Sequence, residues 1–205
     1  MRGEDGPRGT EGMRPSRWEA VLAGEGGQGL VVAGIVLGEA AILEGLEAVQ
    51  SQWVLGSATR GSLSRSEVVI SRDPIAFPRV RRAGALLALT RAAFERHRDL
   101  LAPEALVIVD EDHVPGAGPG APEEVAHRLP VVRTAGELGL ARSTNMIALG
   151  ALVALSGVLE HGSIERAIMA RFGAKAIPNL EAYRTGARLA GARLAGAGPA
   201  GGAGS

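Results

Sequence analysis

Apolar runs of strand length alternate along this chain with segments in which apolar residues recur at helical spacing. The first run, residues 17–23, ends in a glycine-rich turn, and residues 28–43 then keep apolar groups on most of a helical surface. Because strands and helices alternate, the pattern predicts an α/β fold with three layers, a Rossmann-like variant around a parallel or mixed central sheet. Further strands are predicted at residues 47–52, 67–71, 85–89, 105–110 and 131–132.

The remaining segments predict helices, loops and two tails. Ser163 and Asn179 are of residue types that commonly cap helix N-termini, so we expect them to cap the last two helices. Residues 1–16 and 196–205 are rich in Gly and Pro without an apolar face, which predicts disordered tails around one domain at residues 17–195. Helices are predicted at residues 91–101, 144–159, 164–172 and 180–195, a helical turn at 123–128, and loops at 53–66 and 115–122.

The helix predicted at residues 144–159 is apolar nearly all round, so it must be covered on both sides. The last helix offers a narrow stripe of apolar residues, which we expect to be too small to cover it. We therefore expect the chain to associate with itself or with a partner through an apolar patch. The residues of the stripe are Leu180, Tyr183, Ala187 and Ala190.

The turn after the first strand is the first candidate binding site. Gly24, Gly26 and Gly29 satisfy a GxGxxG pattern, and Gly27 and Gln28 lie between them. Glycines permit positive φ, and a helix N-terminus carries partial positive charge, so these residues form a candidate loop for an anion or a cofactor such as coenzyme A. The alternative is a tight connection whose glycines let the helix lie close to the sheet.

A dinucleotide site would need an acidic residue about twenty positions beyond the glycines, to bind a ribose hydroxyl. Glu44 and Glu47 are the residues at that spacing, but Gly45 interrupts the segment and neither clearly ends a strand. A lone GxGxxG is therefore weak support for dinucleotide binding.

A second candidate site is the loop that contains Arg60, Gly61 and Ser62. The planar, permanently charged guanidinium of Arg60 suits an anion or a carboxylate of a partner, and we expect this loop to lie at a subunit boundary. The alternative is a solvated loop.

One mixed cluster of titratable residues follows the apolar run at residues 105–110, and it favours a solvated loop over a metal site. It consists of His113 with Asp110, Glu111 and Asp112. The chain shows no Ser/His/Asp order, no nucleophile elbow and no pair of carboxylates suited to acid–base chemistry. No residue is assigned a catalytic or metal-binding role.

Composition restricts the function further. Of the 205 residues 46% are hydrophobic but only 3% aromatic, and 22 basic residues balance 22 acidic ones, which makes nucleic-acid binding a poor hypothesis. The chain has no cysteine, so it cannot itself form a disulfide or an iron–sulfur centre ligated by cysteine. Residues 1–16 do not resemble a signal peptide, and the apolar run at 146–159 is too short to cross a bilayer. We expect a cytoplasmic protein without membrane contact.

Several motifs at matching spacing resemble the gamma subunit of 2-oxoacid:ferredoxin oxidoreductases, over roughly residues 17–189. They are GEGGQGLVVAGIVLGEAAILEG from Gly24, ATRGS at 58–62, EVVIS at 67–71, TNMIALGAL at 144–152 and PNLEAYRTG at 178–186. The glutamine-rich stretch Gln50-Ser51-Gln52 and the EVVIS strand resemble the 2-oxoglutarate type. The family's aromatic-Gly-Pro-Glu run is replaced here by Trp53-Val54-Leu55-Gly56, and Ser62 stands where the family has a second glycine.

The resemblance implies a division of labour between subunits. Such enzymes decarboxylate a 2-oxoacid on thiamine diphosphate, pass electrons through iron–sulfur clusters to ferredoxin, and release acyl-coenzyme A. Alpha and beta subunits would hold thiamine diphosphate, Mg²⁺ and the clusters, a ferredoxin-like delta subunit is an optional further partner, and coenzyme A is the co-substrate. The alternatives are a stand-alone Rossmann-like nucleotide-binding module, an assembly scaffold, or a gamma subunit acting on pyruvate, a branched-chain 2-oxoacid or indolepyruvate.

The isolated chain should therefore have no oxidoreductase activity, because it lacks cysteine and any thiamine-binding motif. The purified, iron-free chain can be assayed with several 2-oxoacids, coenzyme A and ferredoxin. Turnover of any of these acids by the chain alone would contradict the expectation.

Overall fold

The computed structural model describes residues 16–55, 62–114 and 126–196. Apart from Ser16 and Gly196, the predicted tails lie outside these ranges, as do Arg60, Gly61 and the loop predicted at 115–122. The described strands form a six-stranded sheet in the order β2-β3-β1-β4-β5-β6. They are β1 (Arg17–Glu25), β2 (Glu47–Leu55), β3 (Leu63–Ser71), β4 (Ala83–Ala88), β5 (Leu101–Asp110) and β6 (Ala126–Leu129).

The sheet is mixed, which is one of the two arrangements that the sequence left open. β1, β4, β5 and β6 run parallel to one another, whereas β3 is antiparallel to both of its neighbours, β1 and β2. β2 therefore runs in the direction of β1 but is separated from it by β3. The loop predicted at 53–66 is shorter than expected, because β2 continues to Leu55 and β3 begins at Leu63.

Helices cover both faces of the sheet, which confirms the three-layer α/β architecture. One face packs against a large apolar layer that includes α1, α3, α4, α5 and α6, and the other face packs against α2. No helix in the described ranges is long and apolar enough to cross a membrane. The helices are α1 (Leu30–Leu43), α2 (Arg91–His97), α3 (Val131–Glu137), α4 (Thr144–Ser156), α5 (His161–Phe172) and α6 (Ala176–Gly196), with short 3₁₀ turns at Arg98–Leu100, Ala141–Ser143 and Gly173–Lys175.

The expectation that α6 is too narrow to cover α4 is wrong. Every residue of α4 from Thr144 to Val153 is buried within this chain, and α6 lies directly against it. Glycines explain the close packing: a Cβ on Gly150 would overlap the carbonyl oxygen of Tyr183, and a Cβ on Gly186 would overlap that of Ile147. Because the two backbones approach so closely, a stripe of small residues is sufficient, and α4 leaves no apolar face for a partner.

Two elements near residue 130 differ from prediction. Ala126–Leu129 lies in β6, where a helical turn was expected, because it pairs with the outer edge of β5. The predicted strand at residues 131–132 is instead the start of α3. The N–H of Val132 donates to Asp110 Oδ2 at 2.9 Å, so a carboxylate at the end of β5 stabilises the N-terminus of α3.

Neither predicted N-cap is at the residue expected. α5 begins at His161 and α6 at Ala176, so Ser163 and Asn179 lie inside the first turns of these helices. Asn179 instead joins two elements, since its Oδ1 accepts from Ser143 Oγ at 3.1 Å and its Nδ2 donates to the Lys175 carbonyl at 2.9 Å.

Gly186→Ala should destabilise the fold by about 3 kcal/mol or more, because the new methyl group must push α6 away from α4. Gly191→Ala is the matched control in the same helix. No atom lies within 4 Å of the Cβ that it would add, and removing an exposed glycine from a helix should stabilise it by up to about 1 kcal/mol. Urea unfolding measures both, and equal stabilities for the two variants would contradict the close crossing.

The free energy of unfolding should also decrease in mild acid because of His97. This residue is 2% exposed, and its Nδ1–H donates to the Ala93 carbonyl at 2.7 Å. Burial, with a smaller effect of the charges of Arg65 and Arg96, lowers the pKa of His97 below its usual 6.5. The unfolded chain therefore binds this proton more readily than the folded chain does. The free energy of unfolding is highest above about pH 6.5 and decreases as the pH falls below that value.

His97→Asn places an amide N–H at the position of Nδ1, where it donates to the Ala93 carbonyl, and removes the titration. Its free energy of unfolding should decrease less than that of the parent chain between about pH 7.5 and about pH 5. The slope should be reduced rather than abolished, because partial burial, followed by Arg193, also lowers the pKa of His127. Identical pH slopes for parent and variant would show that His97 does not contribute.

Candidate functional site

The candidate site lies at the carboxyl ends of β1 and β4, which are adjacent and parallel. The chain leaves β1 toward α1 on one face of the sheet and leaves β4 toward α2 on the other face. Such a point, where successive connections leave in opposite directions, opens the crevice in which α/β sheets commonly bind ligands. The glycine turn predicted from the sequence occupies this position.

The turn is held in one conformation by its own backbone and by Gln28. Gly27 and Gly29 have φ of 97° and 73°, in the left-handed region that favours glycine. The N–H of Gln28 donates to the Glu25 carbonyl at 3.2 Å, and the Gln28 side-chain oxygen accepts from the Glu25 N–H at 2.7 Å. A Cβ on Gly24 would overlap that side-chain oxygen, so glycine is required there for Gln28 to fold back over the turn.

Asn145 joins the turn to the start of α4. Its side chain is 6% exposed, and its Nδ2 donates to the Gly29 carbonyl at 3.0 Å. A Cβ on Gly29 would lie 2.8 Å from that nitrogen. Sequence reasoning did not assign Asn145 to the site, although a lone amide side chain at the start of an apolar helix is a usable signal.

The second candidate loop meets the glycine turn at Ser62. The N–H of Gly26 donates to the Ser62 carbonyl at 2.6 Å. The structure therefore brings Ser62 together with the predicted glycine-turn residues. Arg60 and Gly61 lie outside the described residues, so their place at a subunit boundary stays a prediction.

The electrostatics of the turn suit an anion. Gly29 is the N-cap of α1 without a side-chain cap, and the first turn of α1 contains no acidic residue. The first N–H groups of an α-helix have no acceptor within the helix, and the helix dipole adds partial positive charge there. The N–H groups of Gly26 and Gln28 already donate to the Ser62 and Glu25 carbonyls, so a phosphate or carboxylate would bind the first N–H groups of α1, where α1 adds no competing carboxylate.

The acidic residue expected for dinucleotide binding is at the wrong end of α1. Glu44 caps the C-terminus of this 14-residue helix, about 21 Å from its start. Glu47 begins β2 and is in register with Ser71, at the edge of the sheet remote from the turn. Neither carboxylate can reach a ribose bound at the glycine turn, so the standard dinucleotide arrangement is wrong for this chain.

The cluster around Asp110 is a structural brace. Asp110 is fully buried, and its Oδ1 accepts from the N–H groups of Asp112 and His113 and lies 2.6 Å from His113 Nδ1. Arg133 pairs with Glu111 and with Asp112, and its hydrogen bond to Glu111, ahead of the charge of Asp112, raises the pKa of Arg133. These bonds fix the end of β5 to the start of α3. No group of three or more His, Cys, Asp or Glu residues that could hold a metal ion occurs among the described residues.

Comparison with known proteins places these features in a family. Residues 19–189 match the family described as pyruvate ferredoxin/flavodoxin oxidoreductase. A 2-oxoglutarate synthase subunit KorC from Methanocaldococcus jannaschii is 39% identical over 155 residues, which are 75% of this chain and 82% of that relative. The Archaeoglobus fulgidus KorC is 39% identical over 80% of this chain and 83% of that relative. A ketoisovalerate oxidoreductase subunit VorA from Methanothermobacter thermautotrophicus is 31% identical over 75% of this chain but only 32% of its own length.

Solved structures agree with the fold. The gamma subunit of a keto/oxoacid ferredoxin oxidoreductase from Geobacter sulfurreducens superposes with a TM-score of 0.73 at 35% identity, covering 85% of this chain and 99% of that one. The 2-oxoglutarate:ferredoxin oxidoreductase from Magnetococcus marinus, solved with 2-oxoglutarate, coenzyme A and succinyl-CoA bound, has a TM-score of 0.78 at 26% identity. It covers 87% of this chain and 32% of that one.

Proposed function

This chain belongs to the pyruvate ferredoxin/flavodoxin oxidoreductase family, and on that premise we propose that it is the gamma subunit of a 2-oxoglutarate:ferredoxin oxidoreductase. The observation that carries the substrate class is sequence identity. The KorC relative from M. jannaschii, a 2-oxoglutarate synthase subunit, is 39% identical to this chain, whereas the ketoisovalerate relative is 31% identical. The reaction joins the acyl group of 2-oxoglutarate to the coenzyme A thiol, releases CO₂, and passes two electrons to ferredoxin.

The decarboxylation and the electron transfer belong to partner subunits. The chain has no cysteine, and its described residues include no group of three or more side chains that could hold a metal ion, so its residues do not fit an iron–sulfur cluster. Thiamine diphosphate, Mg²⁺ and the clusters are accordingly assigned to the alpha and beta subunits, with a ferredoxin-like delta subunit as an optional further partner. This chain contributes no catalytic residue of its own.

Residues 24–29 are proposed to bind the anionic part of coenzyme A. Three observations support this: the switch point between β1 and β4, the uncapped N-terminus of α1 behind Gly29, and the absence of acidic residues in its first turn. Asn145 and Ser62 act as positioning residues, because they hold the two ends of the turn through the Gly29 carbonyl and the Gly26 N–H.

A similar region within a larger oxidoreductase supports the assembly of this chain with other subunits. In the M. marinus protein, the similar region makes up 32% of one longer polypeptide. We therefore propose that this chain contacts the alpha and beta subunits foremost.

Reconstitution with its partner subunits tests the function. The complex should reduce ferredoxin with 2-oxoglutarate and coenzyme A faster than with pyruvate or 2-oxoisovalerate. Gly27→Asp should raise the KM for coenzyme A about tenfold, equivalent to about 1.4 kcal/mol, because a carboxylate would face the anion.

Gly27→Asn is the matched control, since Asn and Asp both tolerate a left-handed backbone and differ mainly in charge. No atom lies within 4 Å of the added Cβ, so neither variant should crowd the turn. Equal KM values for coenzyme A in the two variants would remove the turn from the binding site. A preference for another 2-oxoacid would overturn the substrate assignment.

A further inference from the structure

Two exposed aromatic rings lie on the face of the sheet that α2 leaves partly open. α2 covers β1 and β4 on this face, while residues 72–82 cross it near β1 and β3. Trp53, near the end of β2, is 43% exposed, and Phe77 is 48% exposed. The whole chain has only two Trp, one Tyr and three Phe, so two exposed rings on one face call for an explanation.

An arginine lies over each of these rings. The Arg79 guanidinium carbon is 4.2 Å from the centroid of Trp53, and that of Arg81 is 5.5 Å from the centroid of Phe77. Both distances are in the range of cation–π attraction. We call Trp53, Phe77, Arg79 and Arg81 the arginine–aromatic patch.

Buried carboxylates hold the backbone of this patch. Glu19 Oε2 accepts from the N–H groups of Arg81 and Arg82 at 2.7 and 3.1 Å, and Glu19 is 9% exposed. Glu67, which is 1% exposed, accepts from the Val80 N–H at 3.2 Å. The segment has no regular secondary structure, yet its backbone is fixed by these bonds. A surface ordered in advance loses less entropy when it binds.

The patch carries unbalanced positive charge. The buried carboxylates are already paired, Glu19 with Arg17 and Glu67 with Arg65. Arg79 reaches Glu67 at 3.4 Å, as a further cation on the same carboxylate, and Arg81 extends to the surface. Such a surface is complementary to carboxylates of a partner.

A protein partner fits the arginine–aromatic patch better than a nucleic acid does. Bases stack on ring faces, but in this patch a guanidinium already lies over each ring. The chain also has a formal net charge of zero, unlike most nucleic-acid-binding domains. Trp and Arg are, by contrast, the residues that most often dominate protein interfaces.

We propose that the arginine–aromatic patch docks against an acidic surface of another subunit of the oxidoreductase complex. This inference rests on the proposed function for the identity of the complex. Trp53 and Phe77 supply the apolar contact, Arg79 and Arg81 pair with carboxylates of the partner, and Glu19 and Glu67 keep the patch in its binding geometry.

Charge reversal of Arg81 tests the docking surface. Its side chain is exposed and contacts Phe77, and its backbone N–H, which bonds Glu19, is retained in Arg81→Glu. The dissociation constant of the purified chain for the assembled remaining subunits should rise at least about tenfold at low salt, and the difference should shrink at high salt. Arg188→Glu, an exposed arginine on α6, is the matched control and should change binding less than about twofold.

Phe77→Ser gives a second test that does not alter charge, and it should also weaken binding about tenfold, with little salt dependence. Unchanged binding in both patch variants would overturn the docking proposal. If the parent complex still turns over 2-oxoglutarate, the proposed function is upheld in that case. A parent chain that joins no such complex would overturn both. If Arg81→Glu instead abolishes self-association, detected by light scattering of the chain alone, the partner is a second copy and the proposal is wrong.

Discussion

The close contact between α4 and α6 governs the arrangement of the helical layer. Gly150 and Gly186 each face a backbone carbonyl of the other helix, and neither position has room for a methyl group. Tyr183, which belongs to α6, is completely buried at this separation. Its hydroxyl lies 2.5 Å from Nδ1 of His161, at the start of α5. Burial, ahead of the charge of Glu165, raises the pKa of that hydroxyl, so it remains protonated and can act as a donor. One backbone contact therefore fixes three helices relative to one another.

The same helices position the candidate site. The first ten residues of α4 are buried, so its first turn has little freedom, and the Asn145 side chain in that turn holds the Gly29 carbonyl. From there the glycine turn leads to Ser62 through the Gly26 N–H. A binding loop built in this way is held by the core and needs few polar contacts of its own. Glycine is needed at Gly27 and Gly29 because their φ angles are positive. It is needed at Gly24 because a Cβ there would overlap the Gln28 side chain.

Sequence reasoning predicted the features that depend on local pattern and missed those that depend on contacts between distant residues. The glycine turn, the mixed α/β sheet and the β5 strand follow from apolar runs and turn residues. The Val131-Val132 pair resembles a strand by composition, and the bond from the Val132 N–H to Asp110, 22 residues away, stabilises it as a helix start. The cover of α4 was misjudged because counting apolar side chains ignores how closely two glycines let backbones approach. Asn145 was missed because its acceptor is a carbonyl 116 residues earlier.

Strands β2 and β3 connect the arginine–aromatic patch with the glycine turn. Trp53 of the arginine–aromatic patch is in register with Arg65, and Leu55 with Leu63, the residue that follows Ser62. Arg65 pairs in turn with Glu67, the carboxylate that holds the Val80 N–H beneath the patch. A partner bound to the patch would therefore contact strands that adjoin Ser62, whose carbonyl accepts from the Gly26 N–H of the glycine turn. The described strands β2 and β3 thus connect the proposed docking surface with the candidate site.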